Sequence, residues 1–216
     1  MSEFYDEYVG VCNPFQFLAG YSQSMVKLIK ELGRLPGVGE KTAERLAYHI
    51  LRSSSEDALA LAQAIREVKE KVKHCSVCCN MGETDPCHIC ADGARDHSVV
   101  CVVEEPKDLL AFEGTGSFKG VYHVLGGRIA PLDGMDPSKL TIGSLVERVK
   151  SGSVKEVVLA LNPNMEGDLT AHYLADQLKG LGAKVTQIAR GIPSGSQLEY
   201  ANHAVLADAL KGRREM

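Results

Sequence analysis

HCSVCCNMGETDPCHICADGARDHSVVCVVEEP, residues 74–106, is where this chain changes character. Cys75-x-x-Cys78 and, eight residues on, Cys87-x-x-Cys90 form two knuckles joined by a short loop. Each knuckle can place two thiolates about one tetrahedral centre. In a reducing compartment disulfides between them are disfavoured, so the expected occupant is one Zn²⁺. Four protein thiolates complete the coordination shell and leave no position for a reacting water, which makes the expected site structural. His74 and His88 are possible substitute ligands, Cys79 adjoins one knuckle, and Cys12 and Cys101 lie far from it. Immediately downstream, Val99 to Val103 is a continuous apolar, β-branched run, as expected for a strand buried on both faces of a parallel sheet. Cys101 within it reads as a small buried thiol.

Upstream of the knuckles the period is helical. Met25, Leu28, Ile29, Leu32 and Leu35 follow the i, i+3, i+4, i+7 spacing of a helix with one buried face. Leu35-Pro36-Gly37-Val38-Gly39 breaks that helix, and a second carries Ala43, Leu46, Ala47, Ile50 and Leu51 on one side. A third is expected from near Ser53, where Glu56 suggests a capping box, with Leu61, Ile65, Val68 and Val72 continuing its stripe. Residues 22–73 thus read as an all-helical unit.

Downstream, strand candidates Gly120 to Leu125, Val154 to Leu161 and Ala183 to Ala189 alternate with helical stretches at Pro106 to Phe112, Thr141 to Lys150 and Met165 to Leu181. That alternation means βαβ units and a parallel sheet. Gly191 to Glu199 reads as loop and Asn202 to Lys211 as a closing helix. The expected fold class is therefore α+β and multi-domain. Residues 1–21 form an N-terminal extension, 22–73 the helical unit, 74–97 the zinc finger, 98–190 the α/β domain and 191–216 a C-terminal segment.

The whole chain, 216 residues with a formal charge of −4, contains no apolar run approaching the ~18 residues of a membrane span. The first residues carry Glu3, Asp6 and Glu7 and do not resemble a secretion signal, so a cytoplasmic protein is expected. Its charge is uneven. Residues 22–73 hold ten Lys or Arg against seven Asp or Glu, a balance of +3, which leaves −7 for the rest. Contact with phosphates is therefore expected in the helical unit.

Two further features carry chemistry. In the turn, Gly37 and Gly39 let the backbone approach a ligand, and the following helix aims its first N–H groups at an anion such as a phosphodiester. Lys41, Thr42 and Arg45 stand on the first turns of that helix. The motif resembles the helix-hairpin-helix of non-sequence-specific DNA-binding proteins. The plainer alternative is a glycine connector used for packing or dimerisation. A P-loop is excluded, because Glu40 separates Gly39 from Lys41 and a helix precedes the turn. The second feature is acidic: Glu104 and Glu105 end the first strand, and Asn162-Pro-Asn-Met-Glu-Gly-Asp168 follows a later one. Strand ends of α/β sheets build sites. This arrangement resembles the toprim domain, in which a strand-terminal Glu and an Asp-x-Asp pair hold Mg²⁺. Here Asn162 and Asn164 match the pair, and neutral amides weaken any Mg²⁺ site. Glu104, Glu166 and Asp168 are the candidates for a weak Mg²⁺ site.

Hairpin, four-cysteine finger and toprim domain in this order resemble the RecR family of bacterial recombination mediators. The resemblance runs from about Ser24 onward and includes Cys101-Val-Val-Glu-Glu-Pro106, Tyr122-His-Val-Leu125, Asn162-Pro163, Gly191-Ile-Pro193 and Leu198-Glu-Tyr200. The first 20 or so residues, with Cys12, depart from the family's short start. The resemblance implies a factor without catalysis whose DNA-contacting basic residues map onto Lys41 and Arg45; with Gly37, Gly39 and Thr42 of the same turn these are the expected DNA-binding residues. It also implies dimers and ring-like tetramers, binding to RecO and RecF, and help for RecA in displacing single-strand-binding protein at gaps. Glu104, Glu166 and Asp168 would belong to the face that meets RecO. The rival reading is a metal-dependent toprim-type nuclease or primase-like enzyme.

Overall fold

The computed structural model describes residues 21–213; Cys12 and nearly all of the expected N-terminal extension lie outside them. The chain divides into two compact units, Met1–Glu70 and Lys71–Met216.

In the first unit, α1 (Gln23–Gly33) packs on α2 (Glu40–Arg52). Ser22 caps α1 by accepting the N–H of Met25 at 3.4 Å. Met25 and Ile29 bury themselves against Ala43 and Ala47, whose short side chains let the two helices approach closely. The junction before α3 (Ser55–Lys71) differs from expectation by one residue. Ser53 ends α2, its N–H donating to His49 and its hydroxyl to the Ile50 carbonyl, so Ser54 becomes the cap of α3. Its oxygen accepts the Asp57 N–H at 3.0 Å. An apolar stripe of this kind is ordinarily buried, and this one is not. The stripe of Leu61, Ile65 and Val68 is 48 to 60% exposed, and α3 buries no residue, because among the described residues it packs extensively against no other element.

The second unit begins with the ribbon β1 (Lys73–His74) and β2 (Met81–Gly82), antiparallel, followed by the short α4 (His88–Ala91). Then come β3 (Asp96–Val103), α5 (Pro106–Glu113), β4 (Gly120–Val124), α6 (Ile142–Lys150), β5 (Glu156–Leu159), α7 (Met165–Leu178), β6 (Lys184–Gln187) and α8 (His203–Lys211). The sheet order is β4-β3-β5-β6 with every pair parallel. Val100, Val102, Val121 and Val157 are fully buried, as a doubly covered parallel sheet requires. The mixed α+β class expected from the alternating periods is the one observed.

The free edge of β4 is covered by polar groups. Arg95 donates to the Gly120 carbonyl at 3.2 Å, Arg148 to that of Tyr122 at 2.8 Å, and the Thr141 hydroxyl to that of Val124 at 2.7 Å. The Val124 N–H donates to the Cys78 carbonyl at 2.8 Å, so the cysteine knuckle itself closes this edge. Covering an edge in this way prevents it from templating another strand.

Candidate metal centre and nucleic-acid surface

Cys75 follows β1, Cys87 caps α4 and Cys90 lies within it. The Cys75 N–H donates to Asn80 O at 2.7 Å and the Cys79 N–H to Cys75 O at 3.0 Å, which tightens the first knuckle around a Cys79 held at φ +60°. The loop between knuckles is fixed by Asp85, whose carboxylate accepts the Ser76 N–H at 2.8 Å. The outcome is that the sulfurs of Cys75, Cys78, Cys87 and Cys90 lie within 4.8 Å of one another.

The donor set fits Zn²⁺. Ligands 2.3 Å from one centre stand about 3.8 Å apart at tetrahedral corners, and Cys78 and Cys87 are separated by 3.6 Å, too far for a disulfide. The Cys87 N–H points at the Cys75 sulfur at 3.3 Å, the kind of outer hydrogen bond that orients a thiolate ligand. Burial opposes ionisation of Cys75, yet the N–H groups of Cys87, Cys78 and Val77 outweigh it and bring that thiol down to about 7. Cys78 is pushed up by its hydrogen bond with Cys90 and by burial, and Cys87 by burial. Crowded thiols of this kind ionise together only when a cation shares them. Among the described residues, this is the one group of three or more metal-ligating side chains brought together. Three of the four cysteines belong to the same buried cluster as the sheet. His74 is directed elsewhere, its Nδ1 lying 3.2 Å from Cys79 O.

The acidic strand ends are built differently. Glu104 is 2% exposed, and both its oxygens accept from Asn162, from the N–H at 2.7 Å and from Nδ2 at 2.8 Å. Asn164 caps α7, its Oδ1 accepting the Gly167 N–H at 2.7 Å. Gly167 is obligatory, since a β-carbon there would stand 2.0 Å from Asn162 O. The two amides at the Asp-x-Asp positions are thus occupied within the protein. Glu166 faces Arg128 at 3.8 Å. Asp168 accepts from both terminal guanidinium nitrogens of Arg190, one at 3.0 Å, and that pairing holds its carboxyl below the usual range. Glu104, Glu166 and Asp168 share one end of the sheet, but each has its own partner and they do not converge as a metal-binding group. Arg128, Arg190 and the Asn162 clamp escaped the sequence reading. Their partners lie 22 to 58 residues away where the separation is defined by a hydrogen bond, and no local spacing marks them.

In the helical unit, Gly37 adopts φ +78°, a left-handed conformation that side chains disfavour. Gly39 caps α2 with an ordinary φ of −77° and provides no side chain to satisfy the first-turn N–H groups. A β-carbon at either glycine would meet nothing within 4 Å. Lys41, Thr42 and Arg45 are all exposed on the first turns of α2. The structure therefore brings the five expected residues to one exposed end of the hairpin.

Comparison with known proteins finds three family models matching successive stretches of the chain. Residues 25–69 match the family model of the RecR helix-hairpin-helix, residues 72–92 that of the RecR four-cysteine zinc finger domain, and residues 98–189 that of the Toprim domain. Proteins named Recombination protein RecR are similar over nearly the whole chain. That of Rhodopirellula baltica is 51% identical over 199 residues, covering 92% of this chain and all of the relative. That of Koribacter versatilis is 50% identical with the same coverage, and that of Desulfatibacillum aliphaticivorans 53% over 193 residues, 89% of this chain and 97% of the relative.

Proposed function

The chain belongs to the RecR family of recombination proteins, and from that premise we propose that it is a DNA-binding mediator of recombinational repair without turnover. In this reading it acts in the cytoplasm with RecO and RecF to help load RecA on single-stranded gaps. The observation that carries DNA binding is the hairpin. Gly39 has no packing neighbour that would require a glycine and no conformational need for one. Its missing side chain instead leaves the N-terminus of α2 open to an outside anion, with Lys41, Thr42 and Arg45 around it. A packing connector would have filled that space.

One hairpin provides few phosphate contacts, and affinity accumulates when several copies engage one DNA. The exposed stripe Leu61, Ile65 and Val68 of α3 supports self-association as a dimer or tetrameric ring, with a second copy covering it. On the α/β unit, Glu166 and Asp168 remain partly exposed beside their arginines and suit a partner-protein contact. Glu104, buried beneath, would shape that face by holding Asn162. The zinc serves as a fixed strut and takes no part in chemistry.

Lys41→Ala should weaken binding of all DNA sequences alike and reduce the slope of log K against log salt by about one per bound protomer. An unchanged slope assigns the hairpin to packing. Metal-dependent cleavage or primer synthesis on labelled gapped DNA with Mg²⁺ or Mn²⁺, abolished by Glu104→Ala, would establish the enzyme reading instead.

A further inference from the structure

One face of α2 has a second use. Lys41, Arg45, Tyr48, His49 and Arg52 fall within an arc of roughly 100° about the helix axis, extending about 16 Å from the hairpin mouth. All five are exposed, on the side opposite the buried Ala43 and Ala47. Arg45, Tyr48, His49 and Arg52, with Glu44 at the rim, line an open surface depression. Glu44 is engaged, its carboxylate accepting the Tyr21 hydroxyl, so the arc itself is basic with a phenol ring at its centre.

That ring is held in place. Tyr21 meets it edge-on, with centroids 5.9 Å apart and planes at 65°, and Tyr21 is in turn fixed through Glu44. Tyr48 nevertheless remains 37% exposed. The Arg52 guanidinium also lies over the ring, 5.9 Å from its centre, at the outer limit of a cation–π contact and therefore easily displaced. An exposed aromatic ring braced from one side and flanked by cations is the combination that binds single-stranded nucleic acid: bases stack on the ring and cations follow the phosphates. A basic face for duplex alone needs no ring.

We propose that Tyr48 is a base-stacking platform for unpaired DNA, with Arg45 and Arg52 holding the flanking phosphates. The proposal rests on the hairpin reading above, since the same strand passes from the amides of α2 along this arc. A base takes the guanidinium's place on the ring, and Arg52 swings to the adjoining phosphate. The protein then favours DNA in which a single strand leaves a duplex, because the hairpin serves either form and Tyr48 serves only the unpaired one.

The test compares the full-length protein on a blunt duplex and on the same duplex with a single-stranded tail, by fluorescence anisotropy at fixed salt, with 2-aminopurine in the tail as a stacking reporter. Wild type should prefer the tailed DNA and quench the reporter. Tyr48→Ala should lower that preference about fivefold or more, as expected for one lost stacked base, without altering the salt slope. Tyr48→Phe should retain both preference and quenching, and Arg52→Ala should reduce the slope on tailed DNA by about one. Equal losses on blunt and tailed DNA in Tyr48→Ala, or quenching that survives in it, would overturn the platform. If Lys41→Ala leaves the slope unchanged on both substrates, the hairpin reading fails. If Lys41→Ala behaves as expected and Tyr48→Ala does not discriminate, only the platform fails.

Discussion

Two clusters of potential anions lie in the second unit, and the protein treats them in opposite ways. The four cysteines converge within 4.8 Å of one another, their sulfurs meeting one another and the N–H of Cys87. The three acids at the strand ends are each answered from within: Glu104 by the amides of Asn162, Glu166 by Arg128 and Asp168 by Arg190. The first arrangement is complete only when a metal arrives. The second is complete already. Residue type therefore does not make a metal site; the deciding quantity is whether the fold has supplied its own hydrogen-bond donors or counter-charge.

The largest expected effect breaks the first cluster. Cys87→Ser should abolish zinc binding and with it a metal contribution to folding on the order of 10 kcal/mol, seen as loss of chelator-detectable zinc and a collapse in thermal stability. Chelation of the wild type should also speed amide exchange at Val124, whose N–H is donated to the Cys78 carbonyl. A variant with unchanged zinc content and melting temperature would remove the metal assignment.

A smaller effect should turn the second cluster into the first. Asn162→Asp replaces an amide clamp by a second carboxylate beside the buried Glu104, with loss of a hydrogen bond to a charged group worth ~2–3 kcal/mol. Millimolar Mn²⁺ should restore part of that stability in the variant, while the wild type shows no metal-dependent shift in melting temperature. A wild type stabilised as strongly as the variant would mean that its acids already seek a cation.

The smallest effect concerns Asp168 and Arg190. The arginine depresses the folded-state carboxyl, so the stabilisation is present above the unfolded carboxyl value near 3.9 and is lost as pH falls through the lower folded value. With Asp168 42% exposed, solvent screening limits the pair to roughly 1 kcal/mol or less. Arg190→Ala should flatten the acid limb of the melting curve below about pH 4 by that amount. A flattening centred near neutrality would point to another group.

Much of this molecule was legible in the order of residues alone. The two knuckles reveal four ligands because metal spacing is local, and the valine run reveals a doubly buried strand because burial on both faces suppresses alternation. The glycine turn likewise indicated where α2 starts. The periodic stripe on α3 was legible as apolar while its exposure was not, since periodicity reports a helix face without naming what covers it. Ser53 and Ser54 exchanged capping roles because the end of one helix and the start of the next compete for adjacent hydroxyls.

By itself, then, the sequence determined the elements, the zinc ligand set and the basic hairpin, all features whose physics acts over a few residues. Only the tertiary structure decided that Glu104 is sealed by Asn162, 58 residues away, that Asp168 has its own arginine, and that a cysteine knuckle closes the edge of β4. Those outcomes depend on which strand ends and loops meet in space, and charge compensation is settled by that proximity.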